Sequence, residues 1–188
     1  MRIRPEQPFK PFVLTDIDNQ QLDLSQLQGR RFMLSFFRFA SCPFCNMRMH
    51  KLVKNFDDIK GNSDFTIIAV FDSPLDNLQE HSTGHHAPFS ILADPENIAY
   101  KLYGIEHSWI GVLKGLATRL PTLIKGITKG YVPLKFKGRI DTMPADFLID
   151  EQGMIQEVYY GKDEGDHMPI EQIKAFAYSE FSDLRQQA

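Results

Sequence analysis

The chain has 188 residues, a formal net charge of −3, two cysteines and one tryptophan. Its 43% hydrophobic and 12% aromatic content is enough for one folded domain with a sizeable core, and so mild a charge gives no reason to expect nucleic acid as a partner. There is no run of about 18 apolar residues to cross a bilayer, and MRIRPEQPFK lacks the apolar stretch of a secretory signal, so a cytoplasmic, reducing location is the expectation.

In chain order, FVLTDID and QLDLSQL alternate like two short strands joined through Asn19 and Gln20. RRFMLSFFRF is nearly apolar in its middle, as a strand buried on both faces would be. From Pro43 the period changes: Phe44, Met47, Leu52, Val53, Phe56 and Ile59 share a helical face, with Arg48, Lys51, Lys54 and Asp58 elsewhere and Gly61 as the stop. FTIIAVFD reads as a strand, SPLDNLQEHS as a helix capped by Ser73 with Pro74 in its first turn, FSILAD as a strand, and PENIAYKLYG as a helix ending at Gly104. ADFLID and MIQEVYYG flank the turn Glu151-Gln152-Gly153 as an antiparallel pair, and a last helix begins near Pro169. The class is α/β, a central mixed β-sheet flanked by helices, with an N-terminal hairpin. Residues 1–188 read as a single domain with an insertion at about 106–142, and the order of elements resembles the thioredoxin fold.

Both cysteines lie in SFFRFASCPFCNMRMHKL. Pro43 suits the first helical turn because its missing N–H is not needed there, which puts Cys42 at the cap position facing free backbone N–H groups. A helix amino terminus favours the thiolate, and Cys45, one turn further in, is close enough to form a disulfide. In this reading the more exposed Cys42 attacks and Cys45 resolves. Two other readings are a pair of small buried hydrophobes and half of a metal site. The spacing behind a strand and around a helix-starting proline argues against the first. HSTGHH supplies His81, His85 and His86 but in no ligand register with the cysteines, so no metal and no cofactor is expected.

FFRFASCPFCNMRMHKL resembles the active-site segment of the peroxiredoxin-like branch of the alkyl hydroperoxide reductase and thiol-specific antioxidant superfamily, where strand, arginine and CPxC follow in that order. PFVLTDIDNQQLDLSQLQGRRFML is similar to that superfamily's amino-terminal hairpin and first core strand, and MPADFLIDEQGMI to its later strand pair. The resemblance implies a thioredoxin fold and redox catalysis by Cys42 and Cys45. It places Met143-Pro144 where thioredoxin-fold proteins carry a cis-proline beside the cysteines, so that Phe39, Pro43, Phe44, Met143 and Pro144 are the candidate substrate-contacting residues. Arg38, four residues before Cys42, is a candidate for stabilising a thiolate or an oxygen anion, with a structural ion pair as the plain alternative. Arg139 is a weaker candidate. The chain departs from the family pattern at two positions: Ser35 stands at the usual proline, and Phe39 where a hydroxyl helps hold peroxide.

The insertion SWIGVLKGLATRLPTLIKGITKGYVPLKFKGR carries Lys114, Arg119, Lys125, Lys129, Lys135, Lys137 and Arg139 without an acidic residue. Its glycines, Pro121 and Pro133 argue against one long helix, and it reads as a lid with solvated lysines; joining two protomers and touching a membrane are the alternatives. Asp166 and His167 read as a turn or helix cap, and His50 as a solvated helix residue. The function expected is a thiol-dependent antioxidant oxidoreductase reducing hydroperoxides, with disulfide reduction and redox sensing without rapid turnover as alternatives. An external thiol reductant, such as a thioredoxin-like protein, restores the pair. A homodimer is compatible with this reading.

Overall fold

Phe32, Leu34 and Phe36 alternate with Met33, Ser35 and Phe37, and all six are buried, because the strand they form lies in the middle of a sheet covered on both faces. The computed structural model describes residues 2–118, 120–128 and 138–178. Its strands in chain order are β1 (Gln7–Pro8), β2 (Val13–Asp16), β3 (Gln21–Asp23), β4 (Phe32–Phe36), β5 (Thr66–Phe71), β6 (Ser90–Ala93), β7 (Ala145–Ile149) and β8 (Met154–Tyr160). The helices are α1 (Pro43–Lys60), α2 (Leu75–Ser82), α3 (Ile98–Leu102), α4 (Trp109–Thr118), α5 (Leu120–Thr128) and α6 (Ile170–Tyr178).

The eight strands form one sheet in the order β1-β8-β7-β4-β5-β6-β2-β3. β4, β5 and β6 run parallel, the arrangement that requires crossover helices, and α1 and α2 supply them. β7 and β8 return antiparallel on the other side of β4. β2 and β4 to β8, the cap at Cys42 and the stop at Gly61 follow the sequence expectation, while β1, paired with the start of β8, was not expected. The second arm of the first hairpin is shorter than its sequence pattern: β3 ends at Asp23, and Leu24–Leu27 form a 3-10 turn whose leucines enter the core.

Two apolar layers result. On one face Met33, Phe37, Ile67, Ala69 and Leu148 pack with Met49, Leu52, Phe56 and Ile59 of α1 and with Ile173 and Phe176 of α6. On the other Phe32, Leu34, Phe36, Ile68 and Phe147 pack with Tyr100 and Tyr103. Ser35 and Asp146 are paired across β4 and β7 and are fully buried, the polar exceptions of the two central strands. The segment between α3 and β7 is closed at its base by a bridge between His107 and Thr142, so that α4 and α5 rise from one point of the rim, with α5 against α1. Pro133, Arg119, Lys129, Lys135 and Lys137 lie outside the described residues.

One backbone expectation is overturned. No peptide bond among the described residues is cis, so Met143-Pro144 is trans. The segment enters β7 extended, with the Met143 N–H donating to Glu106 O at 2.8 Å and Pro144 O accepting from Gly161 N–H at 2.8 Å. A proline at the mouth of a strand needs no N–H there, and the trans form is the lower in energy.

Candidate active site

β4 delivers the chain to the site and α1 carries it away. The Phe37 N–H still donates to Val70 O at 2.8 Å, after which residues 38–42 turn sharply. Ala40 N–H donates to Ser73 Oγ at 2.8 Å, Cys42 N–H to Phe39 O at 3.0 Å, and the Asn46 amide to Ala40 O at 2.7 Å and Cys42 O at 3.0 Å. Asn46 Oδ1 lies 2.8 Å from His85 Nε2. Burial, with the His50 charge adding to it, pushes His85 down to about 4, so near neutrality it is an uncharged partner of Asn46. The loop is therefore tied to β5, α1 and the segment after α2 before any substrate arrives.

Cys42 caps α1 with extended backbone, and Pro43 occupies the first turn. Contrary to the expectation of an exposed nucleophile, both cysteines are fully buried. They belong to the apolar cluster that includes Phe37, Phe39, Phe44 and Met49, and the guanidinium of Arg38, itself 3% exposed, reaches across to the chain before β7 and hydrogen-bonds Ile140 O. Its Nη1 stands 3.5 Å from Cys42 Sγ, and its backbone N–H 3.4 Å from Cys45 Sγ. Its Cζ lies 5.3 Å from the centre of the Phe39 ring. Phe39, for which rim and core were both open, is a core residue.

Burial by itself would push the Cys42 thiol up. A hydrogen bond from the Cys45 thiol, the Arg38 charge and the backbone N–H groups of Cys45 and Phe44 overcome it and bring Cys42 to about 6. Those amides favour the thiolate, although the side chain completes no capping hydrogen bond by geometry. Cys45 goes the other way: burial, its role as donor to Cys42 and the nearness of the Cys42 charge push it well above its ordinary value. One thiolate and one thiol share the site.

Three polar groups were not recognised in the sequence. Glu164 is 1% exposed, and its Oε2 has no hydrogen-bond partner. Burial raises its carboxyl to about 7, opposed by Arg38 and reinforced by Cys42. Asp146, one strand over from the loop, accepts from Ser35 Oγ and from the Met168 N–H at 2.7 Å, and sits 3.2 Å from His167 Nδ1 and 3.8 Å from Arg48 Nη2. Burial opposes its ionisation, yet His167, Arg48 and Ser35 hold its carboxyl down at about 2. Arg48 thus pairs with a buried carboxylate, and His167, expected as a turn or cap, contacts the same carboxylate from the interior. The available signals were a carboxylate inside the apolar run ADFLI and an acidic run, GKDEGD, ahead of the last helix.

The structure gathers Arg38, Phe39, Cys42, Pro43, Phe44 and Cys45 in one place. Met143 and Pro144 are buried nearby along the rim, with their backbone hydrogen bonds directed to Glu106 and Gly161. Arg139 is engaged elsewhere, by Asp141 at 3.0 Å. Asp166 does act locally, accepting from Lys162 N–H and Tyr159 Oη at 2.8 Å each. A groove of about 330 Å³ runs beside the first turn of α1, lined by Phe44, Met47, Lys51, Asp166 and Pro169 among others. Among the described residues, no three His, Cys, Asp or Glu side chains are grouped to hold a metal ion.

The AhpC/TSA family is matched over residues 5–158. The chain is 24% identical over 162 residues to the bcp protein of Coxiella burnetii, covering 85% of this chain and 89% of that one. It is also 24% identical over 102 residues to peroxiredoxin Bcp of Escherichia coli K12, a match spanning 53% of this chain and 65% of that one. Among solved structures, peroxiredoxin 6 of Arenicola marina superposes with a TM-score of 0.70 at 14% identity, covering 98% of this chain and 76% of that one. That likeness speaks to the fold.

Proposed function

The chain belongs to the AhpC/TSA family, and on that premise we propose that it is a thiol-dependent peroxidase in which Cys42 attacks a hydroperoxide and Cys45 resolves the product. The observation that carries the reading is the Arg38 guanidinium 3.5 Å from a Cys42 sulfur whose pKa falls to about 6 while that of Cys45 rises. The Cys42 thiolate displaces alkoxide or hydroxide from the peroxide and becomes a sulfenic acid, and the leaving oxygen takes a proton. The Cys45 thiol, already hydrogen-bonded to Cys42, then attacks that sulfur, so that water leaves and a Cys42-Cys45 disulfide forms. A dithiol reductant of the thioredoxin type returns the pair to two thiols, docking along the groove beside Phe44. Arg38 holds the thiolate and then the departing oxygen by charge-assisted hydrogen bonds. Both sulfurs are buried, so substrate and reductant reach them when the first turn of α1 and the 138–143 strap part.

Phe39, Pro43, Phe44, Met143 and Pro144 form the apolar surround of the reacting oxygens, within one thioredoxin-like domain over residues 1–188 whose rim carries the 106–142 insertion. The setting is the reducing cytoplasm, with a homodimer compatible. Phe39 in place of a hydroxyl favours a second reading, disulfide exchange, because a disulfide substrate needs no peroxide-orienting donor.

Purified Cys45→Ser protein given one equivalent of hydrogen peroxide and a sulfenic-acid trap tests the reading, with an adduct expected at Cys42. No adduct, together with rapid reduction of insulin disulfides by the unsubstituted protein, assigns it as a disulfide reductase. Failure of both, with an oxidation-dependent change in Trp109 fluorescence, makes it a redox switch.

A further inference from the structure

α4 is fastened down at Ser108, Gly111 and Val112 and open at Trp109, Ile110 and Leu113. Ser108 Oγ accepts from the Gly111 N–H at 3.0 Å, and Val112 N–H bonds Ser108 O at 3.2 Å, which caps the helix. A β-carbon at Gly111 would come within 2.5 Å of Met143 Sδ and 3.3 Å of Lys162 O, so the helix lies directly on the strap that leads into β7. Val112 is buried, but Trp109, Ile110 and Leu113 are 63%, 80% and 69% exposed. On α5, Leu120, Ile124 and Ile127, spaced to share one helical face, are exposed as well. Among the described residues, most of the exposed large apolar side chains thus stand on these two adjoining helices.

The charge of this stretch is as uneven as its burial. Residues 109–129 contain Lys114, Arg119, Lys125 and Lys129 and no Asp or Glu, on a chain whose net charge is −3. A second copy docked face to face about a two-fold axis would set this cationic stretch against itself. An anionic lipid surface complements it, while the interfacial layer accepts the tryptophan and the aliphatic side chains. At 10 and 9 residues the helices are too short to span a bilayer, and no helix among the described residues is long and apolar enough to do so.

We infer that α4 and α5 seat the protein on an anionic membrane surface, lying in the headgroup layer with Trp109, Ile110, Leu113, Ile124 and Ile127 inserted. The strap carrying Ile140 and Met143, the Arg38 anchor and the cover of the rim, then lies beside the membrane-facing helices. This seating does not depend on whether the cysteines reduce peroxides or disulfides.

The only tryptophan of the chain reports it. Full-length protein is titrated with vesicles of phosphatidylcholine and phosphatidylglycerol, and separately with pure phosphatidylcholine, while Trp109 emission and co-sedimentation are followed. A blue shift and sedimentation with the anionic vesicles are expected, weakened at least about tenfold by 0.5 M salt, as screening requires. Ile110→Asp with Leu113→Asp lowers partitioning by about tenfold or more, with circular dichroism and hydrogen peroxide turnover unchanged. Unshifted Trp109 emission with anionic vesicles overturns the inference, as does equal binding to both lipids. Self-association that shields Trp109 without lipid also overturns it and makes the face an interface between copies.

Discussion

The Arg38 guanidinium lies 3.5 Å from the Cys42 sulfur and is held there by its bond to Ile140 O, across a sequence separation of about a hundred residues. One cation is thus shared between the helix that carries the nucleophile and the strap that covers it.

That relationship sets the first expected outcome. Arg38→Met removes the cation while burial stays, so the Cys42 pKa rises from about 6 by roughly one to two units. Thiolate absorbance at 240 nm, which needs no access to the buried sulfur, traces the titration. Turnover of hydrogen peroxide at neutral pH falls by about tenfold or more. An unchanged titration would remove Arg38 from the account of the thiolate.

Glu164 titrates at about 7, so its carboxyl is largely neutral at pH 6 and becomes a second anion beside the Cys42 thiolate and Arg38 above pH 7. In Glu164→Gln that competitor is gone. The Cys42 titration shifts below its wild-type midpoint, and the rate of peroxide consumption loses its inflection near pH 7 while keeping the one near 6. Retention of both inflections would assign the upper one to another group.

Asp146 makes the interior depend on acid. Its folded pKa of about 2 lies below the ordinary carboxylate value, so its contribution is full above pH 4 and is lost as pH falls from there towards 2. Asp146→Asn leaves Arg48 and His167 buried without their anion and lowers unfolding free energy at pH 7 by about 3 kcal/mol. Urea midpoints measured from pH 7 to pH 2.5 show the wild-type and variant curves converging at the acid end. A constant gap across that range would contradict the assignment.

Gly138 has φ of +129°, and a β-carbon there would meet Asp72 O at 2.0 Å and Phe39 Cβ at 2.9 Å. The next residue donates its N–H to Asp72 Oδ2 at 3.1 Å, and the one after supplies the carbonyl that anchors Arg38. Gly138→Ala costs about 2–4 kcal/mol and, by shifting Ile140 O, raises the Cys42 pKa. Differential calorimetry and the 240 nm titration check the two effects separately.

Much of the site was legible where its causes are local. Pro43 three residues before Asn46, with Cys42 in the cap and Gly61 at the stop, fixes α1 through backbone hydrogen bonding within a few residues. Asp146 and His167 were not legible as a pair, because 21 residues separate them and only the turn after β8 brings the imidazole under β7. Glu164 lies in the polar run before the last helix, where no local pattern signals burial, and only the folded chain sets it beside Arg38 and Cys42. The cis geometry expected at Pro144 rested on family position alone and gave way to an extended strand mouth with ordinary hydrogen bonds.

Residue order alone was enough for β2 and β4 to β8, the helix starting at Pro43, the cysteine spacing and the basic stretch between Ser108 and Arg139, since periodicity, caps and composition act over a turn or a strand. Long-range packing determined that both sulfurs are buried, that Arg38 turns inward to Cys42, that Asp146 is ionised inside the core, and that Trp109, Ile110 and Leu113 face outward. Each of those outcomes depends on which distant surfaces meet and how much water they exclude, and burial and electrostatics take their magnitudes only once that contact is made.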